Sequence, residues 1–258
     1  MKMEVLKVIL FSVQAILFSA LLAMIITIVA AIVVATPYGP TAISRENDSR
    51  ADFSSESAKQ IQAQAGNITQ LTINTSIITY RWQGYYGNIS GTITLENANG
   101  YAMYDWLSGP SFSPVGEIYA ANESITSWSD IICVNLTGNG TLGQHGINVT
   151  IIEDYFGMDP TDTDGGDETF TARDSIIVGS ITLPDCPATH IYNSSGAQSD
   201  YWNETLLTEN ATGVIVFAAD VHQDSIGFDG NPWDFQMIVG EDGDTAETTT
   251  YYFYVELV

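Results

Sequence analysis

Val8 to Ala35 is a run of 28 residues without a charged side chain, and it constrains everything that follows it. A helix rises about 1.5 Å per residue, so this run reaches about 42 Å, enough to cross a bilayer with tilt. Ser12, Gln14, Ser19 and Thr27 are too weakly polar to hold it in water. Lys2 and Lys7 precede the run, and no charge follows it until Arg45. That asymmetry predicts a cytoplasmic N-terminus and an exported remainder. Residues 1–35 then serve as a signal anchor held in the membrane, or as a long signal peptide cut near Val33-Val34-Ala35. A pilin-type assembly helix is a third use. Against it, Met1–Lys7 contains Glu4 and no small residue at which such a leader is cut.

The charge of the remainder limits its partners. Of 31 acids only Glu4 precedes the apolar run, whereas the bases after it are Arg45, Arg50, Lys59, Arg81 and Arg173. The whole chain carries a formal net charge of −24. Such a surface repels phosphate backbones and anionic headgroups, so nucleic acid is excluded as a partner. Disorder is not implied, because 45% hydrophobic and 11% aromatic residues are enough for a core.

Two further patterns point outside the cell. Asn-X-Ser/Thr begins at Asn47, Asn67, Asn74, Asn88, Asn122, Asn135, Asn139, Asn148, Asn193, Asn203 and Asn210, which takes 11 of the 14 asparagines. One or two matches would be chance; eleven predict N-glycosylation. Cys133 and Cys186 are the only cysteines. An even count in an exported chain predicts one disulfide rather than a metal site.

Thr36 to about Ala58 is rich in Ser, Asp, Asn and Pro and reads as a flexible stalk over residues 36–58. Residues 59–258 read as one extracellular all-β domain, an antiparallel β-sandwich of Ig-like or jelly-roll-like type. Asn67–Thr79 is strand-like, and Ile89–Leu95 alternates apolar with small polar residues. Glu96-Asn97-Ala98-Asn99-Gly100 is then a turn, and Tyr101–Trp106 returns to make a hairpin. Gly116–Ala121, Ser175–Leu183, Gly213–Val221, Asp234–Val239 and Thr248–Leu257 complete the strands. Ser124–Ile131, Ile147–Phe156 and Asp200–Thr208 could each hold a turn or two of helix. The last strand runs to the end of the chain, so no carboxy-terminal anchor is expected.

The residues of this domain carry a resemblance. Ala63-Gln64-Ala65-Gly66-Asn67-Ile68-Thr69 and Trp82-Gln83-Gly84-Tyr85-Tyr86-Gly87-Asn88-Ile89-Ser90-Gly91 are similar to a recurrent domain of exported archaeal surface proteins. The likeness continues through Met103-Tyr104-Asp105-Trp106 and Gly116-Glu117-Ile118-Tyr119-Ala120. It resumes at Gly227-Phe228-Asp229-Gly230 and Asp234-Phe235-Gln236-Met237-Ile238-Val239, spanning nearly all of residues 60–258. That family has no assigned activity. The resemblance implies surface location and a β-rich architecture, and it carries over no catalytic residue.

Candidate chemistry is sparse. Asp159–Glu168 is the densest acidic loop, and Asp162 and Asp164 begin the spacing of a Ca²⁺-binding EF-hand. Gly166 and Asp167 then fall where that motif needs an acid and a glycine, so a solvated turn is the simpler reading. Asp220, Asp224 and Asp229, leading on to Asp234, form a second Ca²⁺ candidate beside the turn-forming Gly227 and Gly230. Trp82, Tyr85, Tyr86, Tyr101, Tyr104, Trp106 and Tyr119 would stack on a glycan if they were exposed together, but core packing is the simpler use. His145, His190 and His222 are isolated, and no Gly-x-Ser-x-Gly occurs. A carboxylate pair such as Glu117 with Asp130 is arbitrary among so many acids. The sequence therefore predicts a non-enzymatic, structural or adhesive surface glycoprotein. Its alternatives are a subunit of an extracellular filament with the apolar helix in its core, and a module that binds carbohydrate or adheres through Ca²⁺. Self-association or contact with other surface proteins fits all three.

Overall fold

The computed structural model describes residues 36–46, 48–50, 62, 64, 65, 67, 68, 70–72, 78–91, 93–107, 114–136, 147–243 and 248–257. The chain divides into two units, Met1–Ala35 and Thr36–Val258. The apolar run, and with it the anchor or signal reading, lies outside the described residues. Among the described residues no helix is long and apolar enough to cross a membrane.

The second unit is all-β and antiparallel. Its strands are β1 (Trp82–Gly87), β2 (Ile93–Glu96), β3 (Ala102–Leu107), β4 (Gly116–Ala121), β5 (Ile131–Cys133), β6 (Ala172–Val178) and β7 (Ile181–Tyr192). They continue as β8 (Gln198–Glu209), β9 (Ile215–Val221), β10 (Ser225–Ile226), β11 (Pro232–Trp233), β12 (Phe235–Gly240) and β13 (Tyr252–Leu257). Two short helices, α1 (Val149–Tyr155) and α2 (Gly166–Thr169), sit between β5 and β6. The main sheet has seven strands in the order β13-β4-β9-β8-β7-β6, with β5 also on β8. β5 pairs with the Leu207–Glu209 end of β8, whereas β7 pairs with β8 between Gln198 and Thr205. The Cys133–Cys186 disulfide joins β5 to β7, with Cα atoms 5.0 Å apart.

Both faces of the sheet's centre are covered, and the side-chain alternation shows how. On the first face Ile118, Ala120, Leu206, Ile215, Phe217, Ala219 and Val221 pack with Met237 and Val239 of β12, with Ile152 of α1 and with Phe156 just after it. β1 and β12 form a separate two-stranded ribbon over this face. On the second face Tyr119, Ala121, Leu207, Val216 and Ala218 pack against Ile176, Val178 and Leu183 from the β6–β7 hairpin. The tip of that hairpin reaches the far edge of the sheet, where the Gly179 N–H donates to Glu256 Oε2 of β13 at 2.9 Å. Strand β7 thus pairs with β8 beyond Ala188 and folds over the second face before it. Double coverage explains why Val214–Ala219 and Trp202–Glu209 are buried without a break instead of alternating.

Several expectations shift in detail. The hairpin at 93–107 forms, and Gly100 supplies the positive φ its turn requires (φ 78°). It starts at Ile93 rather than Ile89, and Leu95, Met103 and Tyr104 are exposed on it. Ser175–Leu183 is not one strand but the bend of the β6–β7 hairpin, turned at Gly179. Asp200–Thr208 is strand β8 and not helix. Trp202 and Leu206 share the first face at i,i+4, a spacing a helix would share, but sheet pairing on both sides decides the conformation. The described residues of Asn67–Thr79 are coil, and Ile68 is fully exposed. At the start of the segment 36–58, Tyr38 exchanges two backbone hydrogen bonds with Val255 of β13, of 3.0 and 2.9 Å.

Candidate functional site

Among the described residues one group of three acids has its ligand oxygens within 4.8 Å of one another: Glu153, Asp167 and Glu168. The local sequence builds this group. Asn148 caps α1, its side chain accepting from the Ile151 N–H. The helix then carries Glu153 inward, to 3% exposure. Glu153 Oε1 accepts the Gly166 N–H at 3.1 Å and the Asp167 N–H at 3.5 Å. Glycine at 165 and 166 permits the close approach. A Cβ on Gly165 would stand 2.6 Å from Glu168 Oε2, and one on Gly166 would stand 2.9 Å from Val149 Cγ2.

The loop before α2 is tied to the ribbon. Trp82 Nε1 donates to the Asp164 carbonyl at 2.6 Å, and Arg81 stands 3.9 Å from Asp162 Oδ2. Arg81 also donates to the carbonyls of Phe156 and Asp242. Asp162 Oδ2 accepts the Asp159 N–H, while Asp159 accepts from Thr161 and is held below the usual carboxylate range by those bonds. Of the sequence candidates Asp162, Asp164 and Asp167, only Asp167 therefore enters the cluster, and the first two organise the turn. Burial, then the neighbouring Asp167, raises the Glu153 carboxyl; a hydrogen bond with Asp167 raises that of Glu168. Three carboxylates in contact share protons or accept a hard cation, and their all-oxygen donor set suits Ca²⁺ rather than a soft metal.

The second candidate group is not brought together. Asp220 lies on the second face of the main sheet, and Asp224 and Asp229 lie in the connection from β9 to β12. Asp224 gives its N–H to Asp234 Oδ1, and Asp234 Oδ2 accepts the Ile89 N–H, so the buried Asp234 splices two loops. Asp229 accepts from Asn231 and from Trp233 Nε1, and these bonds lower its carboxyl.

The aromatic residues divide. Trp82 packs on Phe170 and Phe217, Tyr85 on Phe253, and Tyr119 is fully buried. Tyr101 and Tyr104 are exposed on the β2–β3 hairpin, and the side chain of Trp106 lies outside the described residues. Tyr86 joins Phe228 and Trp233 in an edge-on cluster with centroids 5.1 and 4.9 Å away. His222 stacks on Tyr201, and burial lowers its pKa.

Of the sequon asparagines, Asn67 and Asn88 are exposed, and Asn135, Asn148, Asn193 and Asn210 are half-buried. Asn122 and Asn203 are 8% and 4% exposed. Asn122 Oδ1 accepts the Ile215 N–H at 2.8 Å and fixes the β4–β9 junction. Asn47, Asn74 and Asn139 lie outside the described residues.

A shallow cavity of about 210 Å³ between Ile147, Ile151, Tyr155 and Ile215 is smaller than a usual small-molecule site. Sequence reading placed Glu168 in the acidic loop but did not single out Glu153, Glu256 or Asp174. For Glu256 the signal was present, since its parity with Tyr254 places an acid on an apolar face. Comparison with known proteins finds no matching family model, no matching curated protein and no matching solved structure.

Proposed function

We propose that this chain is an exported, N-glycosylated cell-surface protein with a structural or adhesive rather than catalytic role, its described domain a β-sandwich displayed outside and residues 1–35 its signal anchor or signal peptide. The observation that carries this reading is the bonded pair Cys133–Cys186, which uses both cysteines of the chain. Such bridges persist in oxidising compartments and are rare in the cytosol. Six described sequon asparagines reach solvent at least in part, which supports glycan attachment. The archaeal-type surface resemblance agrees with both.

The test is direct. Cells expressing the full chain are labelled with a membrane-impermeant reagent, and the protein is mapped by glycopeptide mass spectrometry and by its native N-terminus. Surface labelling with glycan on Asn67 or Asn88 is the expected result. A cytoplasmic, unglycosylated protein with reduced thiols would refute the proposal. One observation favours a second reading, a glycan-binding adhesin: the cluster of exposed Tyr86 and Phe228 with half-buried Trp233, beside the Asp229 and Asn231 side chains. Loss of glycan-array binding in Trp233→Ala would separate the two roles.

A further inference from the structure

The second face of the main sheet carries a row of acids that the fold does not need. Glu256 of β13 lies directly opposite Glu117 of β4, and Glu117 lies directly opposite Asp220 of β9. Like charges opposite one another across neighbouring strands destabilise a sheet. The β6–β7 hairpin folds over this row and adds a fourth acid. Asp174 of β6 faces the same interior as Cys186, its partner in register, and acts electrostatically on Asp220. Among the described residues no Lys, Arg or His forms an ion pair with any of the four. Arg173, next to Asp174, is exposed and donates to the Asp185 carbonyl instead.

Glu256 is provided for. Its Oε2 accepts the Tyr119 hydroxyl at 3.2 Å and the Gly179 N–H at 2.9 Å. Among the described residues Glu117 and Asp220 have no such donors. Burial, then Glu256 and Asp220, pushes the Glu117 carboxyl up to about 7. Burial, then Asp174, pushes Asp220 up to about 6.

An independent feature points at the same place. On β8 the register Glu204↔Ala219 puts Asn203 one step on, alongside Asp220 and on its face of the sheet. Asn203 is 4% exposed, and its Oδ1 has no hydrogen-bond partner. Thr205 Oγ1, on the same face and 1% exposed, also has none. A buried amide oxygen without a donor has lost its water and gained nothing in exchange. Here two orphaned oxygens adjoin a row of carboxylates, so what is missing is a positive partner common to all.

We propose that a Ca²⁺ ion binds on the second face between Glu117, Asp220, Asp174 and the amide oxygen of Asn203, clamping the β6–β7 hairpin onto the sheet. The donors are all oxygen, which selects a hard cation. The absence of a rigid octahedral frame favours Ca²⁺, with its 6–8 ligands at about 2.3–2.6 Å, over Mg²⁺. Among the described residues these carboxylates do not all come within 4.8 Å of one another. Rotation about the Glu and Asp side-chain bonds closes the gap, because opposite residues have Cβ atoms only about 4.5–5.5 Å apart. Glu117 and Asp220 are half-buried, which gives the ion and its remaining waters a way in. His190, opposite Asn203 on β7, lies at the margin of the same face.

The experiment is calorimetric titration of the full chain with CaCl₂ after EDTA treatment and dialysis, paired with thermal unfolding. Wild type should bind in the sub-millimolar to millimolar range typical of extracellular Ca²⁺ modules, and its Tm should rise with Ca²⁺. Asp220→Asn and Asp174→Asn should each weaken that binding at least about tenfold, given the role of ligand charge in setting Ca²⁺ affinity. Circular dichroism should show both variants folded, since each removes a repelling charge. The double variant Asp167→Asn/Glu168→Gln, at the other acidic cluster, should leave this binding intact. No heat and no change in Tm up to about 10 mM CaCl₂, well above that range, would overturn the proposal. So would binding that survives Asp220→Asn and disappears in the Asp167/Glu168 double variant.

Discussion

Replacing Glu117 by glutamine should make the domain more stable at pH 8 in EDTA, and the structure sets the size of the effect. The Glu117 carboxyl is raised from an ordinary 4.5 to about 7, first by burial and then by Glu256 and Asp220. An acid raised in this way binds its proton more tightly folded than unfolded. Its cost is absent below about pH 4.5, grows as pH rises, and is complete above about pH 7. The rise of about 2.5 is worth about 3.4 kcal/mol at about 1.36 kcal/mol per pH unit. Glu117 is only half-buried, so solvent screening reduces this to about half. For a domain of this size that is a Tm gain of roughly 3–7 °C. Glutamine keeps the shape and removes the charge. The assay is calorimetry of wild type and Glu117→Gln from pH 4 to 8. The two Tm curves should coincide at pH 4 and diverge through pH 5–7. A variant that is less stable at pH 8, or a difference that does not change with pH, would refute the account of the acid row.

Three other perturbations and one mapping experiment probe the frame. Cys133→Ala/Cys186→Ala opens a covalent loop with a sequence separation of 53. Chain entropy puts the cost at about 4 kcal/mol, and a loss under about 1 kcal/mol by urea unfolding would show that packing alone holds the hairpin. Gly116→Ala should destabilise by more than about 2 kcal/mol, because Gly116 has φ 142° and a Cβ there would sit 2.0 Å from the Glu256 carbonyl oxygen; Gly39→Ala, in open space, is the neutral control. Glu209→Ala removes the acceptor for the Thr126 and Ser127 N–H groups and the Thr126 and Thr212 hydroxyls. Urea unfolding should show a loss of about 3 kcal/mol. Glycopeptide mapping should find Asn67 and Asn88 occupied and Asn122 and Asn203 bare, because a glycan on either of the last two has no route to solvent.

Much of the strand layout was legible because local chemistry marks it. The Glu96–Gly100 turn needs its positive-φ glycine, and Gly116–Ala121 has the length and composition of a strand wherever it is placed. The failures have a common cause. Asp200–Thr208 and Ser175–Leu183 carry patterns that depend on what covers them. Two buried faces erase the alternation in β8, and a fold-over at Gly179 divides one apolar run between two strands. Which acids meet depends on tertiary placement in the same way. Asp162, Asp164 and Asp167 are neighbours in sequence, yet the contact group is Asp167 with Glu168 and Glu153, one helix back.

The sequence by itself determined the class of molecule: an apolar run followed by an acidic, sequon-dense, β-rich domain with two cysteines. These are properties of composition and spacing, which survive any folding. Only the tertiary structure decided which acids meet. Glu256, Glu117 and Asp220 are scattered over 140 residues of chain, from 117 to 256. Strand register sets them in a row, and a hairpin from a fourth place closes over them. Pairing between distant strands is fixed by burial of both faces at once, and no local pattern encodes it.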